Sequence, residues 1–535
     1  MTTRRQAMKT ALAGAVGLTT GIASARTADS SGWATGIEGQ RKADLGNGQF
    51  LNPILAGDFP DPSILKDGDD YYMTHSSFDA SPGLLIWHSR DLVNWRPLGP
   101  ALEKPLGTVF AVDLVKHAGR YYIYIPFMRA PWSRGLKSFA NIYVIHAASM
   151  QGPWSAPIEL GIEGLIDPGH VVGEDDQRYL FLSGIKRVRL APDGLSTAGP
   201  VEQVYEGWRY PDEWITEAYA LEGPKLLRRD KWFYIISAVG GTGGPPTGHM
   251  VIVARSRSIN GPWQNCPNNP IVRTRGVQEA WWSRGHATAV EGPNGKWYLV
   301  YHGYENGFRT LGRQTLLDPI EWTPDGWPES TGGDLSVPLP MPTGRSGGPH
   351  GMPRSDDFSK LAFGTRWTFY GSTPDEVGRA HLDGNALVMR GKGTGPSDCS
   401  PLTQIVGDRA YEISVVMELA GEVLAGLLLF FNDRLYLGMG HDGQRMTTYR
   451  GGKPSYWQEP APATRKLWLR IVNENHIVTF YYSEDGKAWT RHGVRSEVSG
   501  YNANTIDDLA SLRPALFAAG SGSARFTQFR YRAKA

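Results

Sequence analysis

Between residues 50 and 335 the hydrophobic positions fall in short runs, some alternating with polar residues and some almost wholly apolar, separated by Gly, Pro, Asp and Asn. Gly83 to His88, Asn141 to Ala147, His249 to Ala254 and Trp297 to His302 are of this kind, and no helical period persists over about ten residues. The pattern predicts strands joined by tight turns. Aromatic strand starts recur at Asp70-Tyr71-Tyr72, Arg120-Tyr121-Tyr122, Arg178-Tyr179-Leu180, Lys231-Trp232-Phe233 and Lys296-Trp297-Tyr298, at intervals of 50 to 65 residues. Each interval suits one four-stranded unit. A second marker, Trp95, Trp154, Trp263 or Trp322, follows in four units where an outer strand would close a blade; the third unit, around Leu190 to Gly194, lacks it. The expected class is all-β: a five-bladed β-propeller over residues 49–338. A β-sandwich of similar strand content would not explain five nearly equal units.

After Trp327 the chain passes through Leu339-Pro340-Met341-Pro342 and a Gly/Pro-rich stretch, so residues 339–354 read as a linker. Strand patterns resume over residues 355–535, at Tyr411 to Leu419, Ala425 to Phe431, Leu467 to Asn473, Ile477 to Ser483 and Arg525 to Tyr531. The turn Ser483-Glu484-Asp485-Gly486-Lys487 marks a hairpin, and a jelly-roll β-sandwich is the expected second domain.

Composition narrows the partner. Lys and Arg total 55 against 53 for Asp and Glu, a net charge of +2, which leaves no electrostatic footprint for nucleic acid and favours a neutral substrate. Cys266 and Cys399, the two cysteines, fall in different predicted domains and support neither a disulfide framework nor a zinc site. Arg4-Arg5, the apolar run Ala11 to Ile22 and Ala23-Ser24-Ala25 have the order of a twin-arginine signal cut after residue 25, followed by an N-terminal extension over 26–48. The expected location is the periplasm or the cell exterior, and no other stretch approaches the roughly 20 apolar residues of a membrane span. No particular oligomer is indicated.

The inner strand of a blade precedes its aromatic strand by one turn, so matching positions in all five units should converge on the central channel. Counting back from the aromatic markers reaches Asp61, Asp113, Asp167, Glu222 and His286. Four carboxylates and an imidazole crowded into one funnel would push each other's pKa values apart. Such a split suits glycoside hydrolysis, which needs one protonated carboxyl at the leaving oxygen and one ionised carboxylate for water or the anomeric carbon.

Asn52-Pro53-Ile54-Leu55, Phe59-Pro60-Asp61-Pro62-Ser63-Ile64, Asp69-Asp70-Tyr71-Tyr72 and His88-Ser89-Arg90-Asp91-Leu92-Val93-Asn94-Trp95 resemble the opening blade of glycoside hydrolase family 43. The resemblance extends from about Asn52 to Trp327 and implies a five-bladed β-xylosidase, α-L-arabinofuranosidase or arabinanase. It implies Asp61 as general base, Glu222 in Glu222-Gly223-Pro224 as general acid, and Asp167 as the carboxylate that orients the acid and raises its pKa. Gly169 stands where the family more often has Ser. Glu217 competes for the acid role but lacks the Gly-Pro that follows Glu222.

The same resemblance implies that Arg313, in Leu311-Gly312-Arg313-Gln314-Thr315, reaches the first-subsite sugar, and that Asp113 is a sugar-binding or supporting group. Phe78, Trp132, Trp281 and Trp282 are candidate stacking residues at the funnel mouth. His286 matches a histidine that faces calcium or water at the axis. No cofactor is required, and a structural calcium at His286 would need waters to complete its oxygen shell. The strand pattern after residue 355 resembles the concanavalin-like domain of family 43 xylosidases. The expected activity is inverting and exo-acting release of pentose from xylo- or arabino-oligosaccharides, with β-1,4-xylosidase first and α-L-arabinofuranosidase second. A non-catalytic carbohydrate-binding propeller is the alternative from another class, and it has no need of an acid/base pair.

Overall fold

A computed structural model describes residues 32–105, 107–128, 140–371, 373, 375–458, 460 and 462–534. The Arg4-Arg5 signal and Trp132 lie outside the described residues. Five antiparallel sheets follow one another along the chain, each with four strands in sequential order. Their inner strands are Ser63–Asp67, Asp113–His117, Gly169–Val172, Glu222–Arg229 and Trp281–Glu291. The aromatic markers begin or enter the second strands, Asp70–Thr74, Arg120–Met128, Arg178–Leu182, Trp232–Val239 and Trp297–Glu305. Trp95, Trp154 and Trp263 precede outer strands as expected, whereas Trp322 ends the third strand of its blade.

The nearly continuous apolar runs have a packing cause, since a propeller blade is covered on both faces. Tyr122 and Tyr124 of the second blade pack with Leu180 and Leu182 of the third. Phe181 meets Phe233 and Ile235 of the fourth blade, Tyr234 and Ile236 meet Leu299 and Tyr301 of the fifth, and Val300 and Leu317 return to Tyr71 and Met73 of the first.

The ring closes through the segment before the first blade. Asn52 uses its side-chain amide as a strand would: Nδ2 donates to the Leu317 carbonyl (2.9 Å) and Oδ1 accepts the Leu317 N–H (2.8 Å). Backbone N–H groups of Ile54 and Phe59 donate to Thr315 and Arg313 carbonyls, both at 3.0 Å. The loop that carries Asp61 is thereby pinned along the third strand of the last blade, Arg313–Trp322.

The stretch expected to be a linker is packed instead. Leu339–Pro340 pairs with Gln49–Phe50, and Met341 and Met352 are buried in the core between the last and first blades. Gly/Pro-rich composition reports turns, and here the turns lie against the propeller.

Two antiparallel sheets then form the sandwich around one shared core. The expected strands are present as Ala410–Ala420, Val423–Asn432, Lys466–Glu474, Ile477–Ser483 and Ser523–Ala533. One sheet is extended by the propeller itself, because Ala80–Ser81 pairs with the sandwich strand Thr368–Tyr370. Ahead of the ring, Arg41 fastens both domains. Its guanidinium reaches Glu305 (2.8 Å) and Gln314 Oε1 (2.6 Å), and its backbone N–H donates to Asp408 Oδ1 (2.9 Å).

Candidate active site

Asp61, Asp167 and His286 share an unusual backbone feature: all three have positive φ, 54°, 57° and 60°. Non-glycine residues rarely occupy that region, and they do so where surrounding contacts over-determine the turn. Asp61 and Asp167 lie two residues before their inner strands, Glu222 begins its own, and His286 lies within the fifth. These ends converge, as the repeat phase predicts.

Asp61 is almost fully buried and bound on every side. Its Oδ1 lies 2.9 Å from Arg313 Nη1, 3.0 Å from His302 Nδ1 and 3.6 Å from His286 Nδ1, while Ser76 Oγ donates to Oδ2 (2.6 Å). Burial by itself would raise the Asp61 pKa. The Arg313 guanidinium and the two imidazoles outweigh it and hold the carboxyl well below the usual range. At neutral pH Arg313 supplies the positive charge, because burial presses both His286 and His302 down to about 4 and leaves them neutral.

Glu222 has the opposite surroundings. Burial first, then the charges of Asp167 and Asp61, push its pKa well up. Asp167, which accepts the Gly223 N–H at 3.0 Å, is pushed up to about 7 by burial and by Asp61. One funnel therefore contains an ionised carboxylate and two that favour their protons. Glu222 also keeps 24 % of its side chain exposed, against 6 % for Asp61, so it is the more accessible of the two carboxyls. Glu217 is exposed at the rim, where its Oε2 accepts the Gly243 and Gly244 N–H groups, and it has no place beside Asp61.

Gly169 is explained by the same convergence. A Cβ there would stand 1.9 Å from the Pro224 carbonyl oxygen, so the third inner strand approaches the fourth too closely for any side chain.

Of the two roles expected for Asp113, sugar-binding or supporting, its contacts are those of a supporting group. Its Oδ1 takes Lys225 Nζ (2.8 Å) and Ser63 Oγ (3.3 Å), and its Oδ2 takes the His170 N–H (2.7 Å). Both oxygens serve to tie its own inner strand to three others. Lys225 Nζ also donates to the carbonyls of Val112 (2.6 Å) and Pro168 (3.1 Å), next to Asp167.

Phe78 lies under the Arg313 guanidinium (5.3 Å) and edge-on to Phe110 (5.4 Å). Trp282 is partly exposed at the rim, its Nε1 donating to the Val277 carbonyl (3.1 Å). Trp281 is a core residue, 2 % exposed, and not a stacking surface.

His249 and His302 join the funnel without having been singled out in the sequence. His302 Nε2 lies 3.1 Å from Thr242 Oγ1, and both ring nitrogens of the buried His249 lack a hydrogen-bond partner among the described residues, with Nε2 standing 3.7 Å from Glu222 Oε1. His286 Nε2 and Arg313 Nη2 are likewise free, so donors and acceptors face the funnel from several sides. The one sequence signal was a polar residue inside or just before an otherwise apolar strand. One ligand atom each from Glu222, His249 and His286 lies within 4.8 Å of the other two. Of these three groups only the carboxylate offers oxygen, so a calcium at His286 would need waters to complete the six to eight oxygens it takes.

Comparison with known proteins places these features. Residues 50–328 match the model for glycosyl hydrolases family 43, and residues 355–532 match a β-xylosidase C-terminal concanavalin A-like domain. A xylan 1,3-β-xylosidase of Vibrio sp is 35% identical over 325 residues, 54% of this chain and 58% of that protein. A non-reducing end α-L-arabinofuranosidase of Bacteroides ovatus is 29% identical over 377 residues, 63% and 65% of the two chains. The chain thus covers less than two thirds of the length of either relative. The crystal structure of the GH43 protein BlXynB from Bacillus licheniformis superposes with a TM-score of 0.79 at 28% identity, over 91% of this chain and 100% of that one.

Proposed function

The chain belongs to glycosyl hydrolase family 43, and from that premise we propose that it is an exported, inverting, exo-acting glycoside hydrolase that releases pentose, foremost a β-1,4-xylosidase. The observation that carries the reading is the split among the three carboxylates: Asp61 held ionised by Arg313, with Glu222 and Asp167 pushed toward their protonated forms. In a single displacement Asp61 removes a proton from water as the oxygen attacks the anomeric carbon. Glu222 gives its proton to the departing glycosidic oxygen, and the configuration inverts. Asp167, once ionised above about 7, raises the Glu222 pKa by its charge, and it accepts the following Gly223 N–H, which makes it a positioning residue. Arg313 holds Asp61 with one nitrogen and keeps Nη2 for a sugar hydroxyl.

Exo action is supported by the wall the sandwich raises beside the funnel. Arg513 Nη2 reaches Asp58 Oδ2 (2.7 Å) and the Leu512 N–H donates to the Thr310 carbonyl (2.8 Å), fixing loops next to Asp61 and Arg313. Export rests on the Arg4-Arg5 signal pattern. The second reading, α-L-arabinofuranosidase, is favoured by the Bacteroides ovatus relative. A binding module has no use for opposed carboxylate pKa values, which speaks against a non-catalytic propeller.

Parallel assays with nitrophenyl β-xyloside and nitrophenyl α-L-arabinofuranoside test the substrate, and proton NMR of the first-formed sugar tests the stereochemistry. Faster turnover of the xyloside with α-xylose as first product is expected; β-xylose as first product would exclude the single displacement.

A further inference from the structure

The fourth blade carries an added strand, Val272–Arg273, on its outer edge, paired with Met250 and Val251. Register carries this strand back to the acid: Glu222 pairs with Ala238, Ala238 with Val251, and Val251 with Val272. Arg273 therefore lies at the same end of the blade as Glu222, three strand spacings outward, about 15 Å. Beyond it opens a groove lined in part by Trp214, Arg273, Arg275, Glu279, Arg284 and Asp334.

The charges in this groove are unevenly paired. Arg284 is engaged by Glu279 (2.9 Å) and by the carbonyls of Gly333 (2.7 Å) and Arg273 (2.6 Å). The other Glu279 oxygen accepts the backbone N–H groups of Arg275 (2.6 Å) and Gly276 (3.2 Å). Asp334 Oδ1 accepts the hydroxyl (2.6 Å) and the N–H (3.1 Å) of Ser336. Arg273 and Arg275 remain. Among the described residues neither guanidinium has an ion-pair partner, and the buried Arg273 Nε has no acceptor at all.

Arg273 is nonetheless held in place. Its guanidinium carbon stands 3.3 Å from the centroid of the Trp214 ring, and Trp214 in turn stacks on Tyr210 with an interplanar angle of 3°. Stacking fixes the plane of a guanidinium without occupying its N–H donors, and the fork that results matches a carboxylate. The turn between Arg275 and Trp282 joins this groove to the funnel: Arg275 borders the groove, while Trp282 and the exposed Val277 stand at the rim.

We infer that Arg273 and Arg275 bind the carboxylate of an acidic saccharide, a uronic acid carried by the part of the glycan that leaves with the oxygen Glu222 protonates. The direction, outward past Glu222, rests on the proposed function; the carboxylate site rests on the groove alone. Burial and the charge of Arg275 both press the Arg273 pKa down, and an anion seated beside the two arginines would relieve both effects.

Calorimetry tests this on the full chain carrying Asp61→Asn, so that nothing is turned over. The probes are a neutral xylo-oligosaccharide, the same oligosaccharide bearing one glucuronic acid, and free glucuronate. The acidic oligosaccharide should bind at least about 10-fold tighter than the neutral one, with an advantage that shrinks as salt is raised. Arg273→Gln should abolish that advantage, Arg273→Lys should keep part of it, and free glucuronate should bind far more weakly than the oligosaccharide. An unchanged melting temperature shows that the variants fold.

Equal affinity for the two oligosaccharides, or an advantage that survives Arg273→Gln with Arg275→Gln, overturns the site. Binding of free glucuronate as tight as the oligosaccharide overturns its place on the leaving-group path. Nitrophenyl xyloside hydrolysis by the Arg273 variants in the Asp61 background of the natural chain should stay unchanged. A chain that hydrolyses no xyloside yet prefers the acidic oligosaccharide through Arg273 would sink the proposed reaction and leave the carboxylate site standing.

Discussion

Arg313 Nη1 lies 2.9 Å from Asp61 Oδ1, although 252 positions separate the two in sequence. The contact exists because the Asp61 loop runs along the strand that begins at Arg313, bonded to it through the Phe59 N–H and the Arg313 carbonyl. Closing the ring therefore also keeps Asp61 ionised.

Replacing Arg313 by Met removes the chief opposition to burial at Asp61. The Asp61 pKa then rises, and the acidic limb of the kcat/KM profile moves up by about one unit or more. Arg313→Lys keeps a charge and should shift the limb less. An unmoved acidic limb in Arg313→Met would refute the electrostatic role.

Glu222→Gln separates proton donation from folding. Hydrolysis of xylobiose, whose leaving alcohol needs a proton, should fall by about 10² to 10⁴. Dinitrophenyl xyloside, with a leaving group that departs as an anion, should lose far less. Equal losses on the two substrates would point to a structural defect instead.

Asp167→Asn removes a negative charge that raises the Glu222 pKa. Glu222 then gives up its proton at lower pH, and the alkaline limb of kcat/KM moves down. Steady-state rates across pH 5 to 9 on roughly unit spacing read the shift directly.

Asp508 offers a stability test away from the funnel. Burial pushes its carboxyl up to about 7, against the opposing bond from Asn432 Nδ2 (3.0 Å) and with the help of the Asp79 charge. The folded chain thus keeps this proton while the unfolded chain loses it near the ordinary value of 3.8. Stability is lost as pH rises from about 4 to about 7 and levels off above. Asp508→Asn, which mimics the protonated form, should flatten that decline and raise the melting temperature at pH 7 to 8 by a few degrees. No gain at pH 8 would contradict the raised pKa.

The propeller was legible because its period is long and carried by large side chains. Aromatic doublets mark second strands, and strands buried on both faces read as unbroken apolar runs. Asp61, Asp167 and Glu222 were legible for a related reason, since each has a fixed phase relative to those doublets. His249 and His302 escaped because one lies just before a third strand and the other within a second, at phases the repeat does not announce. Asp113 shared the phase of the other carboxylates, and only the three-dimensional position of Lys225 reveals what holds it. The packed stretch after residue 338 was misread for want of its partner, Gln49–Phe50, which is nearly three hundred positions away.

The clasp formed by Arg41, Glu305 and Asp408, together with the pairing of Leu339–Pro340 and Gln49–Phe50, bears on how the catalytic unit can be trimmed. Cutting the gene at the limits of family similarity, residues 50 and 328, would discard one strand of that pairing along with half of the other, and leave Glu305 facing solvent without Arg41 or Arg409. The smallest fragment worth expressing begins before Trp33 and retains the sandwich.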